Sequence, residues 1–239
     1  GQRQVEKLLS SWDFRMDKDQ AAPAIFTAWR EYLYHGTFGD HWAKMKLSDR
    51  LEPMDSLLEK LVRTEPGSEW FDDVNTPGKR ETSNDIMLSS LEKALASLED
   101  FFGTGDMNAW KWGSLHKLEF VHMTEIKAFN YGPVPIGGAL DTVWAPKNEL
   151  LQNGTFDPTN ATRGAHHRMI VDFGNLANCL SVLPGGDSGS TTSDAPFNQF
   201  DLYIGGEYHP EYFTALTPGE LKEQCENVTS TITIMPEEE

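Results

Sequence analysis

The chain has 239 residues, a formal net charge of −17 at neutral pH, and 38% hydrophobic and 11% aromatic residues. That is enough apolar material for one large domain or subunit with its own core. So acidic a chain argues against nucleic acid and anionic membrane surfaces as partners, and no run of about 18 apolar residues offers a membrane span.

Two cysteines, Cys179 and Cys225, are too few for a disulfide scaffold and have no zinc-like spacing. They could pair in an oxidising compartment or stay as free buried thiols. Asn153, Asn160 and Asn227 each open an Asn-X-Thr triplet, a pattern that arises often by chance. The N-terminal Gly1-Gln2-Arg3-Gln4 carries no hydrophobic signal region.

In chain order, residues 1–105 read mainly as helix. Between Ala21 and Tyr34, Ile25, Phe26, Trp29, Tyr32 and Leu33 recur at helical spacing, with Pro23 in the first turn and Gly36 as the expected stop. A shorter helix is predicted over Met54–Val62, then a loop from Glu65 to Arg80, rich in Pro, Gly, Asp and Thr. A second strong helix runs from Asn84, its expected cap, to Phe102. Ile86, Met87, Leu91, Leu95 and Leu98 lie on one side, and Gly103 terminates it.

Residues 106–239 form the mainly β part. Strands are predicted at Lys117–His122, Asp141–Ala145, His167–Phe173, Ala177–Leu183 and Ser230–Met235, with Tyr131–Gly138 as a Pro/Gly-rich connection. Asn198–Gly205 and Pro218–Cys225 read as short helices, and the acidic tail from Pro236 is expected to fray. Helices first and strands second argue α+β rather than a wound parallel sheet.

Four segments in this order carry a resemblance. They are Leu9-Ser10-Ser11-Trp12-Asp13-Phe14-Arg15-Met16-Asp17 with the Ala24-Ile25-Phe26 helix, Trp110-Lys111-Trp112-Gly113-Ser114-Leu115-His116 with Phe120 and His122, and Gly137-Gly138-Ala139-Leu140-Asp141-Thr142-Val143. Last comes the run from Arg168-Met169-Ile170-Val171-Asp172 through Leu183-Pro184-Gly185-Gly186-Asp187-Ser188-Gly189 to Gly205-Gly206-Glu207-Tyr208-His209-Pro210. Together, over about residues 5–225, they resemble the C-terminal part of the β chain of the penicillin acylase (penicillin amidase) family, which includes cephalosporin and acyl-homoserine-lactone acylases. Asp187 stands where the family commonly has Gln, and Trp144 where it usually has Asn. Those departures bear on substrate class more than on fold.

The resemblance implies an N-terminal-nucleophile hydrolase, with these helices and antiparallel strands completing an αββα sandwich. A self-cleaving precursor exposes a serine whose own α-amino group acts as general base, and backbone N–H groups with an asparagine hold the oxyanion. In the family both side chains lie earlier in the β chain. A chain that begins at Gly1 is therefore expected to lack the nucleophile and to be inactive alone. The implied partners are the α chain and the upstream part of the β chain, with a small-molecule amide as substrate. No cofactor or metal is expected in this segment, with calcium possible elsewhere in the enzyme. The implied location is periplasmic or extracellular.

Certain acylases carry an acid near the 168–172 strand that supports the active site or self-processing. Here that position is Arg168, and Asp172 is the nearest carboxylate on the same strand face. The two are candidates for that supporting role, against the favoured reading of a purely structural Arg168–Asp172 pair. Ser188 mimics the nucleophile turn of trypsin-like proteases, but that mechanism needs a histidine and a buried aspartate placed by two barrels. A Gly-rich structural turn fits better. His116 and His122 could ligate metal but lack a third ligand, so packed, hydrogen-bonded rings are favoured. Of His166 and His167 at most one can share a face with Asp172. Trp110, Trp112, Phe120 and Phe129 are read as core before acyl pocket, and the acidic stretch 49–73 as a solvated face. A non-catalytic scaffold or interaction domain is the remaining alternative.

Overall fold

The computed structural model describes residues 2–46, 55–122, 124–186, 198–211 and 219. Its helices and small antiparallel sheets give the expected α+β class. Helix α1 (Gln2–Ser10) leads to α2 (Ala22–Lys44), α3 (Asp55–Thr64) and α4 (Ser83–Phe102). The one-turn α5 (Trp112–Leu115) opens the β part.

Helix α2 does not stop at Gly36. It runs on to Lys44, because Gly36 lies at the crossing with α4 rather than at a helix end. A Cβ there would come within 3.1 Å of both Ile86 Cγ2 and Ser90 Oγ, so only glycine allows this approach without displacement. The crossing is pinned by polar contacts as well. Trp29 Nε1 donates to Met87 O (3.0 Å), Ser90 Oγ donates to Tyr32 O (3.1 Å), and the Tyr32 and Ser97 hydroxyls are 2.7 Å apart. Helix α4 begins one residue before Asn84. Its N-terminus is held by Asp85, whose carboxylate accepts from the Thr82 backbone N–H (2.9 Å) and hydroxyl (2.6 Å), and it ends at Gly103 in the left-handed region as expected.

Strand β1 (Lys117–Phe120) pairs antiparallel with β2 (Tyr131–Pro135), the segment expected to be a connection. Its glycine and prolines hide the strand, and the pairing survives because Gly132 has no Cβ to meet Leu118 O. The hairpin β3 (Leu151–Gln152) and β4 (Thr155–Phe156) follows. The third sheet, in the order β5–β6–β7, consists of β5 (Arg168–Ile170), β6 (Leu180–Val182) and β7 (His209–Pro210), with α6 (Phe200–Gly205) packed nearby.

Asp141–Ala145 is not a strand but a pair of turns. Thr142 Oγ1 accepts from Ala139 N and donates to Ala139 O, and this local bonding competes with a ladder. Strand β5 is shorter than the predicted His167–Phe173 because the Asp172 carboxylate takes Gly174 N (2.8 Å) and Asn175 N (3.2 Å), turning the chain. Of the predicted helix at Pro218–Cys225 only Gly219 is described, and the strand at Ser230–Met235, Ser188 and the Asn227 triplet lie outside the described residues.

The largest core joins α1, α2 and α4 to the start of the β part through Ile25, Ala28, Leu98, Trp110, Trp112 and Leu150. Burial of each large side chain contributes about 1.5–3 kcal/mol. A second cluster gathers Tyr34, Phe38, Leu58, Phe71 and Ile86. A third, under the β5 sheet, holds Leu118, Ile136, Ala161, Val182 and Tyr203. Trp110 and Trp112 are core, as favoured from sequence, with their indole N–H groups donating to Thr104 O and Gly138 O. Phe120 packs against the third cluster, whereas Phe129 is 36% exposed.

Candidate functional site

Pairing of β5 with β6 places Arg168 opposite Val182, and that register turns its side chain inward, where it is 3% exposed. The guanidinium carbon then lies 4.4 Å from the Tyr203 ring of α6, 5.1 Å from Trp144 and 5.4 Å from Tyr208. Nη2 donates to Tyr203 O at 2.8 Å, while Nε and Nη1 are buried without a hydrogen-bond partner. Burial lowers the guanidinium pKa from its ordinary value, with the two tyrosines opposing. The same burial raises that of Tyr203, whose hydroxyl donates to Ala165 O. A guanidinium in an aromatic box is attracted to the ring faces and remains a pure donor, so it can neither attack nor accept a proton.

Asp172 does not join it. Its carboxylate accepts from Gly174 N, Asn175 N and Asn178 Nδ2, and these bonds hold its pKa below the usual carboxylate value. No ion pair links Arg168 to Asp172 among the described residues, so the favoured structural pair is not formed. The physical reason is the early end of β5. Alternation would put both side chains on one face, but the chain leaves the strand before Asp172.

The histidines are dispersed. His116 is 1% exposed, its ring 4.4 Å from that of Trp112, with Nδ1 2.6 Å from Asn148 Oδ1 and Nε2 without a partner. Burial pushes its pKa down to about 4, with the Asn148 bond opposing. His122 is half-buried, bonded to Thr124 and set against Phe129, so the two histidines share no site. His166 and His167 are both exposed. Cys179 is a buried free thiol. Among the described residues no group of three or more His, Cys, Asp or Glu is placed to hold a metal ion.

Two polar clusters escaped the sequence reading because each is assembled across long separations. Glu31 on α2 accepts from Leu150 N (2.9 Å) and Leu151 N (2.8 Å), tying the helices to the β part. Desolvation raises its pKa to about 7 against those bonds. Ser181 on β6 faces His209 on β7, with Oγ 3.5 Å from Nε2, and donates to Glu211 Oε2 at 2.5 Å. A serine hydrolase would have the histidine between serine and carboxylate. Here the serine proton goes straight to Glu211, Nδ1 of His209 lies against Pro210 O, and Ser181 is 2% exposed, so the trio is no relay. A groove of about 390 Å³ beside α1 is lined by Leu8, Trp12, Asp13, Gln20, Asn108 and Lys111 among others, without a nucleophile–base pair.

No catalytic constellation thus emerges from the described residues, and comparison with known proteins supplies the context. Acyl-homoserine lactone acylase QuiP of Pseudomonas fluorescens (strain Pf0-1) is 31% identical over 190 residues, covering 80% of this chain and 20% of that protein. The protein of the same name from Pseudomonas syringae pv. syringae (strain B728a) is 31% identical over 147 residues, covering 59% of this chain and 17% of that protein. A thermostable penicillin G acylase from Alcaligenes faecalis superposes with a TM-score of 0.47 at 16% identity, over 99% of this chain and 43% of that one. The chain spans about one fifth of the length of the curated relatives it matches. The penicillin amidase family model matches residues 2–217. A match over that much of the sequence decides the question, and the chain belongs to the penicillin amidase family.

Proposed function

We propose that this chain is the C-terminal segment of the β chain of an amidohydrolase that cleaves linear amides, such as the side chain of a β-lactam or an N-acyl homoserine lactone. The observation that carries the reading is the family match over residues 2–217. In this reading the nucleophile is an N-terminal serine outside residues 1–239. Its free α-amino group, which titrates near pH 8 in model peptides, takes the hydroxyl proton, and the acyl-serine is then hydrolysed by water. The described residues fit a supporting role, since Arg168, His116 and Ser181 are all buried and engaged in packing.

The companions are the α chain and the upstream part of the β chain of the same precursor, and the assembled enzyme works in the periplasm or outside the cell. Arg168 acts by fixing α6 to the β5 sheet rather than by touching substrate, and Asp172 shapes the turn after β5. Calcium, if the enzyme uses it, is held elsewhere. The test is to isolate the complete enzyme, sequence the N-terminus of each chain, and assay release of acid from penicillin G and from an N-acyl homoserine lactone. A new N-terminal serine with amide hydrolysis is the expected outcome. Full activity of residues 1–239 alone would overturn the reading.

A further inference from the structure

Asn148, Asn153 and Asn160 flank or tip the β3–β4 hairpin, and their surroundings differ. Asn148 is locked, with Oδ1 2.6 Å from His116 Nδ1 and Nδ2 donating to Leu115 O (3.0 Å) and Thr159 O (3.2 Å). Asn160 Nδ2 donates to Glu119 Oε2 at 3.0 Å. Asn153, at the exposed tip, has no hydrogen-bond partner for its side-chain amide among the described residues. It also precedes Gly154, in the single Asn-Gly pair of the sequence. That pair makes the two-residue turn, with φ of 50° at Asn153 and 76° at Gly154, the positive values that such a turn needs. A Cβ at residue 154 would stand 2.6 Å from His35 Nε2, so the close approach of α2 requires glycine as well.

We propose that Asn153 is a self-modification site, converted with water to aspartate and isoaspartate, and that docking of the hairpin on α2 and α4 holds the conversion back. Gly154 has no side chain to shield its backbone nitrogen, which attacks Asn153 Cγ. An N–C bond closes a cyclic imide, and Nδ2 leaves as ammonia with the proton given up by Gly154 N. Water then opens the imide at either carbonyl, its OH going to the carbon and its proton to the nitrogen. Opening at the backbone carbonyl gives isoaspartate, which puts an extra methylene into the main chain. So tight a turn cannot take it up, and the pairs Gln152↔Thr155 and Leu151↔Phe156 are lost. The closed hairpin is unreactive, because a left-handed residue carries the next nitrogen on the side of Cα away from its own Cβ. Gly154 N reaches Cγ only when the turn opens. Opening is opposed by Glu31 on α2, which accepts from Leu150 N and Leu151 N, and by Phe156 of β4, whose ring lies 6.0 Å from that of Phe101 on α4. Local opening of so small an element costs less than global unfolding, so the site reacts in the folded protein.

The test is peptide mapping of the complete enzyme after prolonged incubation at neutral pH. Cleavage after Lys147 and Arg163 puts all three asparagines on one peptide, 148–163. Conversion is scored there by mass, as OH replaces NH2, and by chromatographic separation of isoaspartate. The expected result is conversion at Asn153 and at neither Asn148 nor Asn160, about tenfold slower or more than in the free synthetic peptide, because only the open hairpin reacts. Glu31→Ala removes the acceptor of two backbone N–H groups and should speed conversion about tenfold. Phe101→Ala, at a 46% exposed position, should speed it severalfold, and decides the matter where Glu31→Ala fails to fold. Leu88→Asp, at a 57% exposed site on α4, should leave the rate unchanged. An Asn153 that stays intact while the free peptide converts would overturn the inference. So would equal conversion of the three asparagines, or a rate that neither Glu31→Ala nor Phe101→Ala moves. None of these readouts depends on amide hydrolysis by the enzyme, so the proposed function stands or falls separately.

Discussion

His116 offers the sharpest test of the packing argument. Its ring is 1% exposed and stacked on Trp112, and its folded pKa lies at about 4 against 6.5 for a free histidine. A depressed pKa means that the unfolded chain binds the proton first. The neutral ring's contribution is therefore complete above pH 6.5 and is lost as the pH falls towards about 4. At ~1.4 kcal/mol for each tenfold difference in proton affinity, that loss amounts to about 3 kcal/mol. His116→Phe keeps a flat ring against Trp112 and removes the titration, at the cost of about 1 kcal/mol from the lost Asn148 hydrogen bond. Urea unfolding at intervals from pH 7.5 to pH 4 should show the wild type more stable at the upper end and the variant more stable at the lower. A stability difference that stays constant across that range would refute the reasoning, as would an NMR titration placing His116 near pH 6.5.

Glu31 has the opposite sign. With its folded pKa raised from 4.5 to about 7, its contribution is complete below pH 4.5 and is lost as the pH rises through about 7. Glu31→Gln should flatten that part of the same unfolding profile, whereas Glu31→Ala should cost about 2–4 kcal/mol by leaving Leu150 N and Leu151 N without their acceptor. Gly36→Val should cost about 1–3 kcal/mol in thermal or urea unfolding by overfilling the α2–α4 crossing, with partial recovery when Ile86 is shortened to Ala. Arg168→Met should fall within about 1 kcal/mol of wild type, because an apolar side chain of similar length fills the aromatic box and removes the two buried nitrogens, Nε and Nη1, that lack partners. Arg168→Ala should cost about 3 kcal/mol through the cavity left between three rings.

The sequence alone determined the α+β class, the helices around Ile25 and Leu98, the core role of Trp110 and Trp112, and the four segments that resemble the penicillin acylase family. These are local or ordered signals. Helical spacing and N-terminal proline and C-terminal glycine signals are written along the chain within a few turns. What only the tertiary structure decided depends on neighbours distant in sequence. Gly36 continues a helix because α4 crosses there, and Tyr131–Pro135 becomes a strand because β1 lies alongside. Arg168 parts from Asp172 because a side-chain cap ends β5 early, and it enters a box whose three rings come from residues 144, 203 and 208. Glu31 meets Leu150 and Leu151 across more than a hundred residues. Periodicity reports which face of an element is apolar, but the groups that meet that face are chosen by packing, which a one-dimensional pattern does not encode.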